Sequence, residues 1–164
     1  MALRPLDDYR IAGWVRVQVD GRPVSIYVVH LNFTDATGAA RARQIADLLA
    51  FVDATHGDTP VLIGGDFNTA GNAAELAPLH ADYFDAYAAV HERADAGGAS
   101  EVTLNPHYHA LPQRIDLIHA SRQAFGPLQA RRILDRPTAD GLWPSDHFGI
   151  WARLRFAAAG ERSD

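Results

Sequence analysis

A chain of 164 residues with 48% hydrophobic and 21% charged residues is long enough to bury one core and too apolar for a disordered tail. With no cysteine it forms neither a disulfide, a thiolate zinc site nor a cysteine nucleophile, so oxygen and imidazole are its only metal donors, which favours a hard cation. A net charge of -5 gives no global attraction to nucleic acid, no apolar run is long enough to span a membrane, and MALRPLDDYR lacks the apolar core of a signal peptide, so a cytoplasmic protein is expected.

Trp14 to Val19 alternates Val15, Val17 and Val19 with Arg16 and Gln18, and Asp20-Gly21 separates it from the apolar run Val24 to Val29. This spacing predicts a hairpin with a tight turn. From Gly38 to Thr55 the apolar positions Ala42, Ile45, Leu48, Leu49 and Val52 recur at helical spacing, and Gly57 sits where a helix-ending glycine belongs. Pro60 to Gly65 is apolar on all sides and suits a central strand covered on both faces. Strand, helix and strand in succession make a βαβ unit, whose two strands run parallel. Gly97 to Gln113 reads as a long loop offering Thr103, Asn105, His107 and Tyr108 to a ligand. Arg114 to Ala120, RIDLIHA, and His147 to Phe156 read as two later strands, and residues 157–164 as a frayed C-terminal tail.

In open α/β sheets ligands collect beyond the carboxyl ends of the parallel strands. His30 leaves the first of these strands there, and Asp66 and Asn68 leave the second. With the later strands antiparallel to this pair, Asp116 and Asp146-His147 start at the same edge. Each residue has a second reading. Asp66, Asn68 and Ser145-Asp146-His147 also suit turns, where such side chains bond the local backbone, and His30 also suits a satisfied core position. Asp116 inside an apolar strand needs a partner, of which Arg114 is one candidate. His56, His80, His91, His107, His109 and His119 read as surface or loop residues.

His30-Leu31-Asn32, Gly65-Asp66-Phe67-Asn68, Arg114-Ile115-Asp116 and Ser145-Asp146-His147 occur in the order and approximate spacing of the endonuclease/exonuclease/phosphatase superfamily, and the chain resembles it from Trp14 to Phe156. The resemblance implies an α/β fold, a mixed β-sheet with flanking helices like the C-terminal part of a four-layer α/β/β/α sandwich, as a single domain over residues 1–156. It also implies a metal-dependent hydrolase of phosphate esters, of the phosphodiesterase or nuclease type. In that pattern His147 is the general base and Asp116 holds its imidazole. His30, Asn32 and Asn68 contact the phosphate, Asp66 and Asn68 orient the attacking water, and Asp66 and Asp146 hold Mg2+ or Mn2+. Leu142 and Trp143 sit at the mouth of the site. The substrate is a phosphate ester of nucleic acid, of a phospholipid headgroup or of a small molecule.

The chain also departs from that pattern. The superfamily's N-terminal half, with the glutamate that anchors its principal metal ion, does not precede Trp14, and Glu75, Glu92, Glu101 and Glu161 lie outside any matching motif. A sheet built this way bares an apolar face, which implies a homodimer or a partner chain supplying the missing half. A catalytically incomplete half-domain and a non-catalytic phosphate-binding module are the two alternatives.

Overall fold

In the computed structural model, which describes residues 1–96 and 101–158, the expected hairpin forms from β2 (Ile11–Val19) and β3 (Arg22–His30). Asp20 and Gly21 between them both take left-handed backbone angles, φ 50° and 75°, the two-residue turn whose twist matches that of paired strands. β2 starts earlier than predicted because a strand that the sequence pattern does not reveal, β1 (Ala2–Pro5), pairs with its first four residues. Residues 97–100, at the head of the predicted loop, and 159–164, most of the predicted tail together with Glu161, lie outside the described residues.

The predicted helix is α1 (Ala39–Thr55). Gly38 has no side chain to cap it, so Asp35 does the work from outside: its carboxylate accepts the amides of Ala40 at 2.7 Å and Thr37 at 2.8 Å. Those bonds, Ala40's first, pull the Asp35 pKa down to about 2. Ile45, Leu48, Phe51 and Val52 are buried against Tyr27, Val29, Ile63 and Leu117 of the sheet. The helix closes at His56, whose amide returns to Val52 O, and Gly57 turns the chain at φ 60° as expected.

β4 (Val61–Asp66) then lies parallel to β3, completing the βαβ unit. A one-turn helix α2 (Ala77–His80) and the short strand β5 (Tyr83–Asp85) follow, and β6 (Asp116–Ser121) inserts antiparallel between β4 and β5. The six-stranded sheet runs β1-β2-β3-β4-β6-β5, with α1 on one face.

The other face is partly covered from within the chain, which corrects the expectation that it lies bare. β7 (Phe125–Ile133) and β8 (Gly149–Phe156) pair as a second, two-stranded sheet instead of extending the first. Phe125, Leu154 and Phe156 pack there on Val24, Ile26, Leu62, Ile118 and Ala120. β7 was not legible in the sequence because it carries a proline and a bulge between Pro127 and Gln129, which breaks the two-residue alternation. This sheet stops short of the β1 to β3 edge. Leu3, Ile11, Val15 and Val28, which the register of Leu3 with Gly13, Gly13 with Val28 and Val15 with Ile26 places on one face, stay 65%, 55%, 37% and 56% exposed.

One histidine contradicts the surface reading. His119, on β6, is fully buried; its ring packs 5.2 Å from Phe67 and 5.4 Å from His80, and neither ring nitrogen has a hydrogen-bond partner among the described residues. Burial pulls its pKa down to about 4. A depressed folded-state pKa means that the unfolded chain binds this proton first, so stability is intact above pH ~6.5 and is lost as pH falls through about 4. The loss amounts to roughly 3 kcal/mol. Urea midpoints measured from pH 7 to 4 should therefore fall more steeply in the wild type than in His119→Leu; parallel slopes would show that the ring is not held neutral by its surroundings.

Candidate active site

Three of the expected residues occupy one rung of the large sheet. His30 on β3 pairs in register with Asp66 on β4, and Asp66 pairs with Asp116 on β6. Residues directly opposite one another on neighbouring strands project to the same side. Here that is the side of the second sheet, because Leu62 and Ile118, an even number of residues away on the same strands, pack into that layer. The antiparallel run of β6 thus brings its first residue to the edge where β3 and β4 end.

The fourth residue arrives from the second sheet. Before entering β8 the chain bridges Leu104 to His147, and the Phe148 amide donates to Thr103 O at 2.6 Å. His147 Nδ1–H then donates to Asp116 Oδ2 at 2.9 Å. This corrects the candidate partnership of Asp116 with Arg114. The Arg114 guanidinium is buried and pairs instead with Asp85 at 2.7 Å and Asp95 at 2.6 Å.

Asp66 is the hub of the remaining contacts. Its Oδ1 accepts the Asn68 amide at 2.8 Å, Asn68 Nδ2 donates to its Oδ2 at 3.3 Å, and His30 Nε2 stands 3.4 Å from the same oxygen. Asn68 itself sits at φ 51°, a left-handed position that asparagine tolerates well, and its side-chain amide also donates to Leu31 O at 3.0 Å. Asp66 and Asn68 therefore make the turn together, and Asp66 keeps its place on the rung between His30 and Asp116.

Electrostatics follows from this crowding. Burial raises the Asp66 pKa; the Asn68 amide opposes this and the negative charge of Asp116 adds to it. Burial works to lower the pKa of His147, but the Asp116 hydrogen bond and the charges of Asp116, Asp66 and Asp146 outweigh it, and the net shift is upward. Donor atoms of Asp66, Asp116 and His147 all lie within 4.8 Å of one another. Two carboxylates held so close repel, and a divalent cation relieves that repulsion, so this donor set fits a hard metal ion.

Other expected residues stand elsewhere. Asn32 is buried, and its side chain is spent on the loop before α1: Oδ1 accepts the Asp35 amide at 2.7 Å, while Nδ2 donates to Asp8 and to Thr34. It holds the loop and does not face the rim. Asp146 is 59% exposed and does not share the donor group of Asp66; it groups with His147 and with His109, whose Nε2 is 3.3 Å from Asp146 Oδ2. His109, read from the sequence as a loop residue, thus stands at the site, and nothing in its sequence neighbourhood signals this.

The loop residues expected to be available to a ligand divide into two kinds. Thr103 and Asn105 are fully buried, which corrects their assignment. Thr103 Oγ1 accepts the amides of Ile115 and Asp116, and Asn105 donates from its backbone to Asp146 O and from Nδ2 to Ser145 O. They fasten the loop to both segments that carry the His-Asp pair. His107 and Tyr108 remain exposed, and His107 lies 6.0 Å from Trp143, the ring expected at the mouth.

With this geometry in hand the likenesses of the chain are informative. Its sequence matches the Endonuclease/Exonuclease/phosphatase family over residues 3–147. Its fold is similar to D. rerio TDP2 complexed with single-strand DNA product, at 20% identity and a TM-score of 0.72, covering 91% of this chain and 63% of that one. It is similar as well to the human Nocturnin catalytic domain with bound sulfate anion, at 23% identity and a TM-score of 0.69, covering 95% and 58%. An endonuclease/exonuclease/phosphatase from Bacteroides vulgatus matches at 18% identity and a TM-score of 0.70, covering 93% and 58%. The chain spans about three fifths of the length of these structures. No curated protein matches it.

Proposed function

The chain belongs to the endonuclease/exonuclease/phosphatase family, and from that premise we propose that it hydrolyses phosphate esters, phosphodiesters above all, with His147 as general base. The observation that carries the reading is the 2.9 Å bond from His147 Nδ1 to Asp116 beside Asp66 and His30. Asp116 fixes the tautomer, keeping the proton on Nδ1, so that the Nε2 lone pair takes a proton from water. Asp66, steadied by Asn68, orients that water, and the exposed His30 donates to a phosphate oxygen. The water oxygen bonds to phosphorus as the ester P–O bond breaks, and His147 keeps the proton until it returns to solvent or to the leaving oxygen.

Mg2+ or Mn2+ fits the carboxylate side of the site, with Asp66 as its holder; when bound, such an ion offsets the negative charge that develops on the phosphate. Nucleic-acid phosphodiesters are the first substrates to test, because the matched D. rerio TDP2 was captured with a single-strand DNA product and because His107, Tyr108 and Trp143 offer rings near the site for bases to stack on.

The test is hydrolysis of bis-p-nitrophenyl phosphate with Mg2+ or Mn2+ across pH, comparing wild type with Asp116→Asn. Because the His147 pKa is raised, the acidic limb of kcat/KM should lie above pH ~6.5 in the wild type. Removing the Asp116 charge should shift that limb to lower pH and lower kcat. No turnover with either metal, or an identical pH profile in the variant, would defeat the reading.

Association belongs to the same proposal. The uncovered strip of Leu3, Ile11, Val15 and Val28 adjoins β3, the strand that carries His30, and a second copy or a partner chain seated there would cover it. Sedimentation should show the wild type self-associating or travelling with a partner, and Val28→Lys should abolish this. A wild type that is a compact monomer at every concentration, and that co-purifies with nothing, would remove the partner from the account.

A further inference from the structure

We propose that His109, Asp146 and His147 form a second metal site at the rim, selective for a borderline transition cation such as Zn2+, which occupies His147 Nε2 when bound. The binding half of this proposal stands by itself; its inhibitory consequence rests on the hydrolytic reading above.

The donor set sets this site apart from the carboxylate pair. Donor atoms of the three residues lie within 4.8 Å of one another, with His109 Nε2 3.3 Å from Asp146 Oδ2. Two imidazoles and one carboxylate suit Zn2+ and its neighbours in the first transition row, whereas Mg2+ prefers an all-oxygen shell. The two rings meet edge-on, at 87° with centroids 5.7 Å apart. Asp116, already holding Nδ1–H of His147 at 2.9 Å, is the carboxylate that commonly stands behind a metal-bound histidine, fixing its tautomer and raising its basicity. The same bond that makes His147 a base thus makes it a ligand.

The framework is built before any ion arrives. His109 and Asp146 belong to separate loops, and buried Asn105 ties them together: its backbone N–H donates to Asp146 O at 2.9 Å, and its own carbonyl accepts the His109 amide at 3.0 Å. Side chains of both loops are therefore presented from a fixed base, and only the outer ends of His109 and Asp146 need to adjust. Because His147 is common to the two donor groups, filling the rim site removes the lone pair that hydrolysis needs. Zinc is then expected to inhibit without displacing Mg2+ from Asp66.

Zinc binding is measured on the whole chain by competition with a chromophoric chelator in the presence of excess Mg2+. One Zn2+ per chain is expected, weakened roughly tenfold or more in His109→Ala and in Asp146→Ala, and little changed in Asp66→Asn. Circular dichroism of each variant checks that it remains folded. Equal zinc affinity in wild type and His109→Ala, or no zinc retained by the wild type, would overturn the site. In parallel, stoichiometric zinc should suppress bis-p-nitrophenyl phosphate hydrolysis in the wild type, with a higher zinc requirement in His109→Ala. Binding without suppression would overturn the inhibitory role alone. A chain with no hydrolysis under any condition defeats the enzymatic reading, and the binding measurement still decides the metal site.

Discussion

Replacing His147 with alanine is expected to lower kcat for phosphodiester hydrolysis by roughly 10²- to 10⁴-fold, the usual worth of a positioned general base. The imidazole is held in a fixed orientation by its 2.9 Å bond to Asp116, and although burial opposes it, that bond and the carboxylate charges around the ring raise its pKa, so it serves as a base once pH exceeds that raised value. Asp66, on the carboxylate side of the site, is assigned instead to the metal ion and to orienting the water. Substrate affinity should change much less than kcat, since the phosphate contact is assigned to His30. The measurement is initial rate against bis-p-nitrophenyl phosphate concentration with saturating Mg2+ or Mn2+, together with the urea midpoint of the variant. A variant that is folded and retains wild-type kcat would remove His147 from the chemistry.

The largest structural effect is expected at Gly65. A Cβ there would lie 2.0 Å from the carbonyl oxygen of Val29, its register partner on β3, and the residue takes φ 140°, a conformation that side-chain-bearing residues avoid. Backbone strain and overpacking each cost about 1 to 3 kcal/mol, and here neither is relieved by a side-chain rotation because the obstacle is main chain in the middle of a sheet. Gly65→Ala should therefore destabilise the fold by at least about 3 kcal/mol, lowering Tm by roughly 6 to 12 °C. Thermal unfolding followed by circular dichroism measures it, and a shift below ~2 °C would show that β3 and β4 do not approach as closely as the register requires. The consequence reaches the rim, since the same approach sets His30 beside Asp66 one residue further along.

These two positions show how unevenly the site could be read from the chain. Gly65 and Asp66 announce themselves, because an apolar run that ends in glycine, carboxylate and amide is a local pattern. His147 is visible only as one of eight histidines until a motif singles it out. His109 carries no local mark at all, and His119, in the same RIDLIHA strand as Asp116, suits the surface by residue type alone, whereas the strand alternation sets it on the opposite face from Asp116, the face covered by α1 and α2. The place of Asn32 in a motif suits a phosphate contact, whereas its side-chain amide bonds Asp8, Thr34 and Asp35.

By itself the sequence determined the hairpin, the helix and the parallel strand that follows it, because periodicities of two and 3.6 residues and a left-handed Asp-Gly turn are local properties of the chain. It also determined which edge of that unit would carry polar groups. Only the tertiary structure decided their partners: that Asp116 meets His147 and not Arg114, that β7 and β8 fold back as a second layer, and that His109 reaches the rim. Those outcomes depend on strand register and loop anchoring between residues far apart in the chain, which no short window of sequence encodes.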